Sequence, residues 1–510
     1  MPGAETIEAV RGASELSLFG LPGRRFRTIA SVALLGLAGL LFLGFESAEP
    51  WSNELPSNPA NYASHFFSAQ ADALLNGHID VPASALPGEC FMYQGNCYGY
   101  FGVTPSILRL PVTAVDPTLG MAGVYLTLAS LLGLGLSILV VNEIWMLAGR
   151  RRPPSGGTSK WGGHVLFVAS IAAVSLGSIY FQLTMPNVFQ EAIAWWTTFT
   201  LAGFWLLLKW FATGRISYLW LAVLALILAA GARPSGMVVS IALAVVIGLL
   251  IARDHRPWSA KVRHLAPVLA LAVLPTGLAM AVFMWKFDSP VPDVMLNVQI
   301  GGGNPAWTAM LQANGGKFFS PKYLPTMAWA YFRPDSLMLQ HGLPWFAAPV
   351  RVPPTPIGGY YLEPTASLTD LAPVALVLGL LAMTFTPMRK AGTARLPTPR
   401  TGFLGRWLVR GLILALLSGT ALALFNMAGS NRYLGDFMPA VVAAIGFGSA
   451  TIMSMPARRG TLSRALVVIV VALVLAGVAA NIGLSYAQVN DRVVAARGQL
   501  PQPSWPWGRS

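Results

Sequence analysis

RALVVIVVALVLAGVAANIGL, Arg464 to Leu484, decides the fold. After Arg464 it carries no charge, and about 20 mainly apolar residues are what a helix needs to cross the hydrocarbon core of a bilayer. Only a helix or a closed barrel satisfies its own backbone hydrogen bonds there. Runs of the same kind recur near 28–46, 118–147, 162–184, 189–210, 217–232, 236–252, 265–285, 370–388, 408–427 and 434–455, giving about eleven spans with 464–484. The composition agrees: of 510 residues, 55% are hydrophobic and 11% charged, and the mean hydropathy is +0.59. So much apolar surface exceeds what one water-soluble core can bury. The fold expected is an all-α polytopic membrane protein.

The first run follows Arg24, Arg25 and Arg27, as the apolar part of a signal peptide would, but it is long and has no small-residue cleavage site, so it reads as a retained span. The positive-inside rule orients the chain. With the N-terminus cytoplasmic, about two thirds of the 34 basic residues fall inside, including Arg150 to Arg152, Arg253 to Arg263 and Arg389 to Arg410. The domain plan is a cytoplasmic tail over 1–27, a transmembrane domain over 28–484, and an external, irregular tail over 485–510 containing Pro501, Pro503 and Pro506. The chain is thus expected to be a multi-pass plasma-membrane protein with an external C-terminus. A net charge of +14 could suggest nucleic acid, but the basic residues are scattered between apolar runs and form no patch. No nucleic-acid partner is expected; the bilayer is.

Two loops, about 47–117 and 286–369, fall outside. Loops this long carry function or are disordered, and disordered segments are poor in aromatics. The first holds Trp51, Tyr62, Phe66, Phe67, Phe91, Tyr93, Tyr98, Tyr100 and Phe101; the second is equally rich, from Trp307 to Tyr361. An ordered, partly helical cap is expected. Phe66, Ala69, Ala73 and Leu74 recur at helical spacing and Gly77 follows, which predicts a short helix over His65–Asn76. Gly301 to Gly303 lacks the strand-turn-helix context of a phosphate loop and reads as a turn. Cys90 and Cys97 sit close enough in one loop to form a local disulfide in an oxidising compartment.

Ionisable groups at span ends are costly and mark candidate sites. Four groups qualify: Asp72, His78, Asp80 and Glu89 in the first loop; Glu191 where span four begins; Arg233 before Pro234; and RYLGDFMP, Arg432 to Pro439. Arg432 and Asp436 stand four apart, so on an α-helix they share a face and can pair. Alternatively Arg432 and Arg233 offer planar forks to a lipid phosphate. Glu191 either anchors a helix N-terminus through its dipole or serves the substrate. A carboxylate placed against a hydroxyl can act as general base; Asp72 is the first choice, with Glu89 and Asp80 behind it. Tyr98, Tyr100 and Tyr433 complete a binding set with Glu191, Arg233, Arg432 and Asp436. No histidine pair has metal-ligand spacing, so no metal site is expected and no cofactor is evident; nothing in the sequence supports a divalent metal.

These segments together resemble the C-type glycosyltransferases of membranes, which use polyprenyl-phosphate sugars as donors. The likeness runs through HFFSAQADALLNGHIDVP (His65 to Pro82), CYGYFGVTPSILRLP (Cys97 to Pro111), VFQEAIAW (Val188 to Trp195), ARPSG (Ala232 to Gly236) and RYLGDFMP, as in actinobacterial members. It implies transfer of one sugar, hexose or pentose, from the lipid phosphate to a glycan, lipid or protein acceptor of the cell envelope. The transfer would take place externally, by inversion, with a carboxylate base from the first external loop. Many members carry an acidic pair just after the first span; this chain has Glu46, Glu49 and Glu54 there instead, and Glu89 matches the acid before the tyrosine segment. Two other readings stand beside it: a secondary transporter, although no internal repeat is evident, and a non-catalytic envelope protein that binds lipid carriers.

Overall fold

The protein is described as a computed structural model over residues 23–46, 63–87, 89–116, 122–149, 160–253, 257–290, 299–300, 312–341, 345–349, 361–362, 365–385, 406–426, 428–455 and 460–496. Every apolar run of the sequence becomes a helix. In chain order the helices are α1 (Arg24–Glu46), α2 (Phe66–Leu75), α3 (Thr104–Thr113), α4 (Ala122–Gly149), α5 (Lys160–Ser175), α6 (Val188–Thr213), α7 (Ser217–Ala232) and α8 (Ser235–Ala252). They continue with α9 (Trp258–Phe287), α10 (Leu324–Phe332), α11 (Leu368–Leu371), α12 (Pro373–Phe385), α13 (Arg406–Leu417), α14 (Ala421–Phe425), α15 (Met438–Met453) and α16 (Gly460–Ala496). Among the described residues, nine helical segments are long and apolar enough to cross a membrane, and α7 and α12 are shorter apolar helices. The chain is an all-α polytopic membrane protein.

Outward-facing Leu37, Leu40, Val245, Leu249, Leu269, Val273, Val468 and Leu475 are exposed, a costly surface in water and a natural one against lipid tails. The interior is built on α15, whose residues are almost all buried, between α4, α5, α12 and α13. Small residues let the helices approach closely: a Cβ at Gly448 would lie 2.3 Å from the Leu378 carbonyl oxygen. Asn481 of α16 donates to the Gly177 and Leu371 carbonyls at 3.3 and 2.8 Å, tying the last helix to this interior.

The loops that alternate along the chain meet at one end of the bundle. Strands β1 (Phe91–Tyr93) and β2 (Asn96–Tyr98) form a hairpin turned by Gln94 and Gly95, both at positive φ (50° and 83°). Cys90 and Cys97 are joined by a disulfide across it, with Cα atoms 5.4 Å apart. The second long loop adds β3 (Gln299–Ile300) to β1, pairing Phe91 with Ile300. It also contains the short antiparallel pair β4 (Met338–Leu339) and β5 (Phe346–Ala347). Its β6 (Tyr361–Leu362) runs parallel to β7 (Ala428–Gly429), just before RYLGDFMP.

Helix α2 forms where the spacing predicts, with Phe66 and Phe67 buried against Phe101 at ring distances of 5.5 and 5.9 Å. Two expectations need correction. The segment Cys97 to Pro111, whose apolar part the family resemblance implies runs into span two, instead ends in a separate helix, α3, with Pro105 in its first turn and Pro111 inside it. The tail read as irregular from 485 is helical to Ala496, because Ser485 is buried and donates to the Phe181 carbonyl at 2.7 Å. Trp51, Tyr62, Trp307, Gly301 to Gly303 and Pro501 to Pro506 lie outside the described residues.

Candidate functional site

Three chain breaks place the polar groups. Asn187 caps α6, its Oδ1 accepting from the Gln190 N–H at 2.9 Å, which sets Phe189 and Glu191 in the first turn. Helix α7 stops at Ala232 because Arg233 precedes proline and adopts an extended backbone (φ −155°, ψ 140°). Asn431–Phe437 is a 3-10 helix that leads into α15.

That last element corrects the expected Arg432–Asp436 pair. At three residues per turn, positions three apart eclipse and positions four apart diverge. Asp436 therefore leaves Arg432 and, fully buried, accepts from Arg233 Nη1 at 2.6 Å; its Oδ2 has no hydrogen-bond partner. Arg432 is half-buried and lies over the Phe189 ring at 4.1 Å. Both guanidinium groups also flank Tyr433, Arg233 at 5.1 Å and Arg432 at 5.3 Å from its ring centre.

Tyr100 joins the same group from the first loop. Burial pushes its hydroxyl well above the ordinary tyrosine range; Tyr433 and Glu89 push the same way, while Arg432 and Arg233 oppose them. The residue as a whole is half-buried. Its ring packs on Phe101 at 4.2 Å and Phe91 at 5.5 Å. Glu89 is half-buried. Tyr100 meets the Phe189 ring at 6.5 Å, under Arg432, so Tyr100, Arg233, Arg432, Tyr433 and Asp436 are brought together from three separate parts of the chain, with Glu89 within electrostatic reach of Tyr100.

The remaining expected residues lie apart from this group. Asp72 is exposed on α2, where its side chain and carbonyl meet the Asn76 amide at 3.5 and 2.9 Å. Asp80 pairs with His78 Nδ1 at 3.0 Å. Neither is among the charges that act on Tyr100. Tyr98 faces the Phe287 ring at 5.5 Å, and burial raises its hydroxyl with help from Asp80 and Asp288, while Asn96 lowers it. Glu191 is fully buried and gripped at both oxygens by Arg109, Nη1 to Oε1 at 2.5 Å and Nη2 to Oε2 at 2.8 Å.

Two residues escaped the sequence reading. Arg109 sits in the apolar LRLP segment and stacks on Tyr125 at 3.9 Å; a lone charge inside an apolar run was the signal. Lys286, buried at the end of α9, donates to the Gly99 and Phe101 carbonyls at 2.9 and 2.5 Å. A lysine at the loop end of a span runs against the positive-inside pattern, and that was its signal. Among the described residues, no group of three or more His, Cys, Asp or Glu is arranged to hold a metal ion.

No family model and no curated protein matches the chain. Among solved structures it is similar to the oligosaccharyltransferase of Archaeoglobus fulgidus in the apo form, at 12% identity and a TM-score of 0.46, over 92% of this chain and 58% of that one. The same enzyme tethered to an acceptor peptide gives 12% identity and a TM-score of 0.42, over 89% and 55%. AglB from the same organism, in complex with an inhibitory peptide and a dolichol-phosphate, gives 13% and 0.40, over 94% and 59%. The chain spans less than two thirds of the length of each. Likeness of this degree assigns neither a reaction nor a site.

Proposed function

We propose that the protein is a glycosyltransferase that moves a sugar from a polyprenyl-phosphate donor to a cell-envelope acceptor on the external face of the plasma membrane. One observation carries the reading: two arginines from separate parts of the chain flank Tyr433 at the loop end of a membrane bundle, and Arg432 also lies over Phe189, which Tyr100 meets from the other loop, with Glu89 within electrostatic reach of Tyr100. Planar guanidinium groups suit a phosphate, and Arg432 is only half-buried. Asp436 neutralises Arg233 in part, so the pair orients a fork without a large net charge in the interior. The half-buried Tyr100 offers aromatic surface to a sugar.

Glu89 is the best-placed general base. It is the first-loop acid that acts on Tyr100, whereas Asp72 is turned to the surface and Asp80 is held by His78. It would take the proton of an acceptor hydroxyl as that oxygen attacks the anomeric carbon, while the lipid phosphate leaves against Arg432 and Arg233. Glu191, fully gripped by Arg109, is assigned to holding α3 on α6.

The test is transfer of a radiolabelled sugar from polyprenyl-phosphate donors by the full chain in nanodiscs. Glu89→Gln should lower transfer by about 10²-fold or more, and Arg432→Ala should weaken donor binding, while Asp72→Asn keeps wild-type rates. Full activity in Glu89→Gln would remove the base assignment. Solute uptake by proteoliposomes without any transfer would favour a transporter.

A further inference from the structure

Lys286 is an expensive residue to keep. It is 1% exposed at the end of α9 and forms no ion pair among the described residues. A buried ammonium without a counter-charge persists only where its hydrogen bonds do something the fold needs. Both of its bonds go to one short segment, the carbonyls of Gly99 and Phe101, on either side of Tyr100.

That segment has no other freedom. A Cβ on Gly99 would lie 2.4 Å from the Phe66 ring, and one on Gly102 would lie 1.9 Å from the Gly231 carbonyl oxygen. Gly102 N–H also donates to the Ala232 carbonyl at 3.3 Å, one residue before Arg233. Helix α2 therefore confines the segment at Gly99, the α7 terminus confines it at Gly102, and Lys286 grips it between. The Gly99 carbonyl belongs to the peptide plane that enters Tyr100 and the Phe101 carbonyl to the second plane beyond it, so the grip pins the backbone on both sides of that residue.

We propose that Lys286 is a positioning residue that fixes the Tyr100 ring against Phe91, Phe101 and Phe189, the last being the ring on which Arg432 lies. The grip also makes α9 part of the site, since a shift of that helix would be transmitted to the Tyr100 segment through two hydrogen bonds. This deepens the transferase reading and rests on it for its catalytic consequence, although the geometric claim stands independently.

The experiment uses the full chain in nanodiscs, labelled with 3-fluorotyrosine, with the Tyr100 fluorine resonance assigned by its loss in Tyr100→Phe. Lys286→Met should move that resonance and bring the Tyr100 hydroxyl back toward its ordinary value of 10.0, and Lys286→Arg should preserve both. Lys286→Gln, whose amide is polar but shorter than the lysine stem and so does not reach both carbonyls, serves where the Met variant does not fold, and it too should move the resonance. In transfer assays, Lys286→Met should lower kcat by roughly tenfold to a hundredfold, with KM for the lipid donor nearly unchanged, and Lys286→Arg should restore kcat. A Tyr100 resonance and titration unchanged in the Met or Gln variant overturns the proposal, even if thermal stability falls. Absence of any transfer by the wild-type protein would sink the transferase reading and leave the fluorine result to decide the role of Lys286.

Discussion

Replacing Arg109 by methionine isolates what the buried pair contributes. The side chain is fully buried, makes two short bonds to Glu191, donates a third to the Pro105 carbonyl at 3.1 Å and covers the Tyr125 ring. Methionine keeps most of the volume and apolar contact but leaves the Glu191 carboxylate without its fork. Removing one partner of such a pair costs about 3–5 kcal/mol, because the other charge stays buried and unpaired. The partner substitution Glu191→Gln should cost a similar amount by stranding Arg109. The double variant Arg109→Met with Glu191→Gln strands no charge, so its cost should fall well short of the sum of the singles, with a coupling of about 1–3 kcal/mol. Detergent-solubilised protein unfolded by graded SDS, read by tryptophan fluorescence, gives all four corners of the cycle. Strict additivity, or a single Arg109→Met variant as stable as the wild type, would refute the argument. Because Glu191 lies one half-turn from Phe189, on which Arg432 rests, the Arg109→Met variant should also lose transfer activity.

Four further outcomes follow from the same geometry. Arg432→Lys keeps the charge but loses the planar fork, and should weaken binding of a polyprenyl phosphate by about tenfold, measured by scintillation proximity on nanodiscs. Gly102→Ala has no room for its methyl against the Gly231 carbonyl oxygen, 1.9 Å away, and should fail to accumulate as a monodisperse protein on size exclusion. Cys90→Ser with Cys97→Ser opens a loop of sequence separation 7 and should lower stability by about 2–3 kcal/mol in denaturant titrations. For pH, the raised Tyr100 hydroxyl means that the folded chain keeps a proton the unfolded chain releases above 10.0; stability from this source is intact below that value and is lost as pH rises further. Tyr100→Phe should therefore flatten the alkaline fall in stability.

The sequence by itself determined the spans. An uninterrupted apolar run of about 20 residues leaves one solution in a bilayer, and each run from Arg24 to Leu484 became a helix. It also determined local features whose causes are local: α2 with its stop at Gly77, the break at Arg233-Pro234, and Cys90 and Cys97 lying within bonding reach. What only the tertiary structure decided is which charges meet. Arg109 and Glu191 are 82 residues apart, Lys286 and Gly99 187, and Arg233 and Asp436 203. Those separations are closed by how the helices stack, and periodicity within a single helix carries no information about its neighbours. Even the nearest pair, Arg432 and Asp436, depended on packing: a tightened 3-10 turn at the mouth of α15 sets Asp436 on Arg233 and Arg432 over Phe189.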